Sequence, residues 1–136
     1  MKTNPIRVLS LLAKILAFAA AAQAADLTYA QILKQRDAVL SEILAVRESH
    51  YATGAGDADA VWSARLALLT FRRDTAPSAA EKIRQQEMIM GGWEKRLADV
   101  EARLKAGLGG PEAKLLATDS VLQARQVLVE LQALLK

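Results

Sequence analysis

The stretch that decides the fold is residues 47–69, RESHYATGAGDADAVWSARLALL, in which a helical run stops at a glycine and restarts after an aspartate. A second stretch, residues 100–118, VEARLKAGLGGPEAKLLAT, follows the same pattern when Gly54 is aligned with Gly107. Glycine closes a helix readily because it adopts the left-handed conformation without a steric penalty. The self-similarity therefore predicts two copies of one helix-turn-helix unit.

Start signals elsewhere in the chain extend this pattern to four helices. Thr28 and Gln31 form the pattern of a capping box before the first helix, and Ser78 and Glu81 form another before the third. Apolar residues recur three and four positions apart between these signals. The predicted helices cover residues 29–53, the segment from the Asp57 cap to about Arg73, residues 79–106 and residues 111–135.

The absence of any alternating, strand-like segment makes the predicted fold class all-α. Short connections favour antiparallel neighbours, so we expect an antiparallel four-helix arrangement built from two helical hairpins, residues 29–73 and 79–135. The second helix is the short one. Its length predicts a splayed end or an exposed groove beside it, which self-association could cover.

A glycine pair, Gly91 and Gly92, lies inside the third predicted helix. Each glycine there costs about 1 kcal/mol relative to alanine. We interpret the pair as a point of close helix packing or a mild kink, rather than a functional hinge. Gln86 fills the one gap in the apolar stripe of the same helix.

The first 24 residues have the composition of a secretory signal peptide. A basic start is followed by the apolar run VLSLLAKILAFAAAA and by small residues before a cleavage point after Ala24. Lys14 interrupts the apolar run, so an organellar transit peptide or an uncleaved anchor are the alternatives. We predict a signal peptide at 1–24, a single helical domain at 25–136, a periplasmic or secreted location, and no stable membrane span after cleavage.

The charge balance of the predicted mature chain argues against nucleic acid as a partner. Three of the 18 Lys and Arg residues lie in the first 24 positions, whereas all 15 Asp and Glu residues lie from Asp26 onward. The mature chain would thus carry no basic surplus to bind phosphates. Because the sequence has no cysteine, disulfides and thiolate metal sites are excluded.

Patterns that carry chemistry are missing from the sequence. His50 is the single histidine and occupies the last turn of a predicted helix, where it interacts with the helix dipole or caps carbonyls. Asp57 and Asp59 are interpreted as helix caps rather than calcium ligands. Acidic residues have basic neighbours at helical spacing, as in Glu101 and Lys105. We therefore expect no enzyme, no catalytic residues, no cofactor and no metal site.

Aromatic and arginine side chains provide the candidate interaction surface. The sequence is poor in aromatic residues, at 4%, so each large ring matters. One interpretation makes the rings core anchors; the other places them on a recognition surface in the groove beside the short helix. Arg36 and Arg65 lie in or beside apolar stripes, so we expect each guanidinium either to reach solvent or to pair with a carboxylate. The candidate residues are Trp62, Arg65, Phe71 and Trp93.

The repeated turn resembles the helical-hairpin repeat of outer-membrane efflux proteins of the TolC type. The resemblance rests on Tyr51-Ala52-Thr53-Gly54 with Val61-Trp62-Ser63-Ala64, and on Leu104-Lys105-Ala106-Gly107 with Leu115-Leu116-Ala117. The chain has no membrane strands and is too short for a channel. It is also similar to small exported helical proteins of unassigned function that share this hairpin. The resemblance implies an envelope scaffold or interaction module and carries over no catalytic residue.

A second resemblance is to the small periplasmic stress chaperones of the Spy and CpxP type. Leu27-Thr28-Tyr29-Ala30-Gln31 matches their LTxxQ motif, which that family usually shows twice and this sequence shows once. The sequence therefore predicts an exported, non-enzymatic scaffold or protein-interaction module that binds a protein partner or itself. A small chaperone-like stress protein is the alternative.

Overall fold

Four α-helices account for most of the part of the chain described by the computed structural model, residues 27–136. The helices are α1 (Tyr29–Ala52), α2 (Ala58–Thr75), α3 (Ala79–Lys105) and α4 (Pro111–Ala133). Within residues 27–136 there is no strand, which confirms the all-α, four-helix prediction. The predicted signal peptide lies outside the described residues. The packing described below is that of residues 33–136, which form one compact unit.

The two repeated turns have the same backbone geometry. Gly54 and Gly107 both adopt φ +74°, the left-handed conformation that favours glycine. The N–H of Gly54 donates to the Tyr51 carbonyl at 3.0 Å, and the next N–H donates to the His50 carbonyl at 2.9 Å. Around Gly107 the equivalent bonds measure 3.0 and 2.8 Å. Both turns are therefore Schellman motifs, and the alignment made from sequence holds at the level of hydrogen bonds.

Side-chain caps start three of the helices where the sequence predicted them. Before α1, the Thr28 N–H donates to Gln31 Oε1 at 2.8 Å and the Gln31 N–H donates to Thr28 Oγ1 at 3.3 Å. Asp57 Oδ1 accepts from the Ala60 N–H at 2.7 Å, and Ser78 Oγ caps α3. The start of α4 has no side-chain cap, because glycine precedes the proline in its first turn.

Helices α2, α3 and α4 form the packed body of the fold. Over residues 33–136, Cα atoms of α2 and α3, and of α3 and α4, come within 8 Å of each other. The centre of the core combines one residue from each helix: Leu69, Ile89 and Ala124, exposed by only 5%, 3% and 5%. Because α3 contacts both neighbours, it is the central helix of this body.

The attachment of α1 is different in kind. Its backbone stays more than 8 Å from those of the other three helices, and no residue between Tyr29 and Ala52 is buried. Long side chains bridge the gap to α2. Leu33, Leu40 and Leu44 are half-buried, while the ion pairs of Asp37 and Glu48 span the two helices. The first hairpin is therefore open.

The predicted shortness of the second helix is confirmed, although its end lies slightly later than expected. Helix α2 has 18 residues against 24, 27 and 23 for α1, α3 and α4, and it runs to Thr75 rather than ending near Arg73. Helix α2 is therefore the shortest of the four helices in residues 27–136, and it carries three of the four candidate residues, Trp62, Arg65 and Phe71.

Candidate interaction surface

Two of the predicted residues, Trp62 and Trp93, meet between α2 and α3. Their ring centroids are 5.2 Å apart at an interplanar angle of 79°, an edge-to-face contact that aromatic pairs prefer. The Arg96 guanidinium lies 6.0 Å from the Trp62 centroid and 5.9 Å from the Trp93 centroid. Arg96 also donates to Asp59 Oδ1, so a cation held by a carboxylate covers the edge of the pair.

The position of Trp62 explains the glycine pair in α3. A Cβ atom added to Gly92 would overlap the six-membered ring of Trp62, whereas one added to Gly91 would meet nothing within 4 Å. Helix α3 continues unbroken through both glycines. Close packing is therefore the reason for Gly92, as the sequence suggested. The Trp62 ring is fixed directly against the α3 backbone.

The other two predicted residues, Phe71 and Arg65, lie on the side of α2 that faces α1. Phe71 is 8% exposed, and the Arg36 guanidinium of α1 lies 4.8 Å from its ring centroid. Arg65 pairs with Glu48 of α1 and stays half-exposed. The structure therefore joins Trp62 with Trp93 but separates them from Phe71 and Arg65, which connect α2 to α1.

An open groove of about 510 Å³ separates α1 from α2. Its apolar wall includes Leu40 of α1 and Phe71 of α2, and Arg36 and Asp74 bring opposite charges to its rim. The groove exists because α1 does not approach α2 closely enough for their side chains to interdigitate. The remaining lining residues are Ser63, Leu66, Ala67, Thr70 and Thr75.

A second groove, of about 240 Å³, lies between α2 and α4 above α3. Gln86 of α3, only 1% exposed, forms part of its floor. Gln86 Nε2 donates to the Ala124 carbonyl of α4 at 2.7 Å, and Arg73 Nη1 of α2 donates to Gln86 Oε1 at 2.8 Å. One buried side chain thus links all three helices of the body by hydrogen bonds.

The two grooves meet on α2, because Leu66 and Thr70 line both of them. Exposed Ser63 and Ala67 present small side chains in the groove beside α1. We call this surface, with Ser63, Leu66, Ala67 and Thr70 as its floor and α1 and α4 at its sides, the α2 trough. Ser63 and Ala67 allow another backbone to approach the floor closely, and the charged lining residues are Arg36, Asp74 and Arg73.

The ion pair between α1 and α2 has a measurable electrostatic signature. Arg72 donates to both carboxylate oxygens of Asp37, from Nε at 2.6 Å and from Nη2 at 2.9 Å. This bidentate bond holds the pKa of Asp37 below its ordinary value and raises that of Arg72. Arg72 thus joins α1 and α2 through two hydrogen bonds to one carboxylate, whereas Arg65 donates one to Glu48.

A second carboxyl is shifted by a partner on another helix. The Lys114 ammonium of α4 lies 2.9 Å from Glu101 Oε1 of α3 and, chiefly through that hydrogen bond, lowers the pKa of Glu101. The sequence spacing suggested Lys105, whose charge also lowers this pKa, but the hydrogen bond comes from Lys114 on the neighbouring helix. The spacing of residues along one helix does not reveal a partner on the neighbouring helix.

The surroundings of His50, the single histidine, are those of a helix end. His50 lies in the last turn of α1, and its carbonyl accepts hydrogen bonds from Ala55 N–H and Thr53 Oγ1 at 2.9 and 3.0 Å. Between residues 27 and 136, no three His, Asp or Glu side chains are grouped so as to hold a metal ion. None of the helices in that same range is long and apolar enough to cross a membrane.

Sequence reasoning missed the roles of Arg73, Gln86 and Asp37. Gln86 was recognised as a polar interruption of an apolar stripe, and that interruption was the signal that a buried partner is required. Nothing in the sequence identified Arg73 as that partner. In comparisons with known proteins, no protein family, curated protein or solved structure matches the chain.

Proposed function

We propose that the protein is an exported, non-enzymatic helical scaffold of the cell envelope that binds a helical segment of a partner protein in the α2 trough. The observation that supports this most is the trough itself. Two grooves meeting across Leu66 and Thr70 leave one side of α2 open along several turns. Amphipathic helices bind other proteins in grooves of this kind.

The chemistry of the trough specifies the type of partner segment. Leu40, Leu66 and Phe71 offer apolar contact on the α1 side, so one face of the bound helix must be apolar. Ser63 and Ala67 on the floor leave room for side chains of ordinary size. Arg73 and Gln86 at the other side supply polar partners for the edge of that helix.

Capture with matched variants tests the trough. A photoreactive residue at Ser63 should cross-link one defined protein in the envelope fraction of the source cells. Ala67→Arg places a long cation on the trough floor and should abolish that cross-link. Ala98→Arg, at an equally exposed alanine of α3, should leave it intact. Equal capture by both variants would contradict the proposal.

Export and the absence of catalysis have their own tests. The mass of the protein isolated from fractionated cells should correspond to a chain beginning at Ala25, outside the cytoplasm. A full-length mass in the cytoplasm would contradict export. Catalytic turnover that survives purification and is lost on a single polar substitution would contradict the scaffold.

A second candidate function is a chaperone-like stress protein, as the LTxxQ resemblance implies. The observation in its favour is apolar exposure: Leu115, Leu122 and Val129 of α4 are 70%, 56% and 59% exposed. Such surfaces can hold unfolded clients. Near-stoichiometric protein should then suppress the aggregation of a heat-unfolded client measured by light scattering. No suppression would remove this candidate.

A further inference from the structure

Helix α1 has a second apolar face that no other part of residues 33–136 covers. Its half-buried leucines point toward α2, yet Val39, Ile43 and Val46 remain 42%, 44% and 47% exposed. A helix that is apolar on more than one side is normally covered on more than one side. Within residues 33–136, one face of α1 is therefore left without its expected neighbour.

The spacing of this face is that of a coiled-coil seam. Arg36, Val39, Ile43, Val46 and His50 follow one another at intervals of three, four, three and four residues. These intervals place them at successive a and d positions of a heptad, the row that meets a second helix. We call these five residues the α1 seam. The three apolar members form its continuous centre.

The charges beside the seam specify which helix would pack against it. In that heptad register Glu42 is a g position and Arg47 is the e position five residues later. Both side chains are exposed, and neither forms an ion pair within the described part of the chain. In a parallel pair of identical helices, g of one helix meets e of the other. Glu42 of each copy then meets Arg47 of the second copy, twice by symmetry.

An antiparallel pair would lose this complementarity. In an antiparallel pair, g positions lie beside g positions and e positions beside e positions. Glu42 of one copy would then lie beside the row that contains Glu42 of the other copy, and not beside Arg47. The seam's own cation, Arg36, does not oppose either arrangement strongly, since its guanidinium is turned toward Phe71 within the same chain, 4.8 Å from the ring. The charge pattern therefore fits a parallel second copy.

We propose that two copies of this chain pair in parallel along the α1 seam, with reciprocal Glu42–Arg47 ion pairs across the two-fold axis. The proposal deepens the proposed interaction-module function, on which it rests, by naming one partner. The seam has no residue in common with the floor of the α2 trough, although Arg36 belongs to the seam and also lines the groove between α1 and α2. Each copy of the dimer therefore keeps a trough for a second, different protein.

Sedimentation equilibrium of the protein as isolated from cells tests the pairing directly. We expect a monomer–dimer equilibrium in the micromolar range. Glu42→Lys and Arg47→Glu should each weaken it about ten-fold or more, because both symmetry-related ion pairs become like-charge pairs. The double variant Glu42→Lys/Arg47→Glu exchanges the charges and should restore dimerisation.

Matched controls distinguish dimerisation through the seam from nonspecific apolar association and from misfolding of the variants. Ile43→Lys should abolish the dimer, whereas Val129→Lys, at a comparably exposed apolar residue of α4, should leave it unchanged. Helical circular dichroism and melting temperature confirm that each variant is folded. A monomer at all concentrations, a dimer that Val129→Lys removes, or single charge reversals without effect would overturn the proposal.

The two proposals fail separately. Dimerisation is measured on the purified protein alone and does not depend on any trough partner. Failure of cross-linking from Ser63 with an intact dimer would remove the trough function and leave the seam. Normal cross-linking from Ser63 by a strictly monomeric protein would remove the seam and leave the trough function.

Discussion

Helix α1 and the body formed by α2, α3 and α4 contain similar proportions of apolar residues but are stabilised differently. The body buries its apolar residues and links its three helices through Gln86. Helix α1 buries none and is held by two arginine–carboxylate pairs and a row of half-buried leucines. Apolar content therefore does not predict attachment. The distance between helices decides whether apolar side chains interdigitate.

Truncating one apolar side chain in each region should give the largest difference in the free energy of unfolding. Ile89→Ala in the core should lower the free energy of unfolding by about 3–4 kcal/mol, through lost burial and a remaining cavity. Leu44→Ala in α1 should cost less than about 1.5 kcal/mol, because its side chain is only half-buried. Denaturant titration measures both. Equal costs would erase the distinction between the regions.

Removal of the buried amide should be the next largest effect. Gln86→Ala leaves Arg73 Nη1 without its acceptor and should cost about 2–3 kcal/mol. Gln123→Ala, whose exposed amide bonds only Asp119 one turn away, should cost less than about 0.5 kcal/mol. Thermal unfolding of the two variants makes the comparison. A neutral Gln86→Ala would mean that the three helices are held by apolar contact alone.

The glycine pair offers two adjacent changes with opposite signs. Gly92→Ala should destabilise by about 1–2 kcal/mol, because the new Cβ displaces the Trp62 ring and outweighs the helical preference of alanine. Gly91→Ala should stabilise by up to about 1 kcal/mol, since its Cβ points into open space. Melting temperatures report both signs. Stabilisation by both changes would contradict the described Trp62 contact.

The smallest effect belongs to the ion pair that holds α1. The pKa of Asp37 is lowered in the folded state, so its contribution is present above its unfolded pKa of about 4 and is lost as pH falls through the folded value. Because both partners are more than a third exposed, Asp37→Asn should cost less than about 1 kcal/mol at pH 7.

The acid titration of Asp37 needs a matched control, because Glu101 also has a lowered pKa. Both carboxyls lose their contributions as the solution is acidified below about pH 4. Asp37→Asn should remove the acid-induced loosening of α1, and Glu101→Gln should leave it in place. A fluorescent label at Ala45, an exposed residue of α1 outside the α1 seam, can follow the loosening. Identical acid responses in the two variants would sink this assignment.

Local signals in the sequence predicted the helices well, and non-local pairing escaped them. Gly54, Gly107, Asp57 and Ser78 act on neighbours within five residues, so their roles were readable in advance. The pairing of Glu101 with Lys114, and of Gln86 with Arg73, joins residues 13 apart in sequence on different helices. Such pairs depend on how helices are rotated and spaced, which periodicity alone leaves open. The length of the second helix predicted an opening beside it, but it did not indicate that the opening lies between α1 and α2.

Amide hydrogen exchange at two protein concentrations tests the central contrast most directly. Where the protein is monomeric, amides of α1 should exchange at least about 100-fold faster than those around Ile89, because α1 opens without unfolding the body. Raising the concentration into the dimer range should slow exchange in α1 and leave α3 unchanged. Equal protection of α1 and α3 at every concentration would contradict the account, since α1 would then be an integral part of the body.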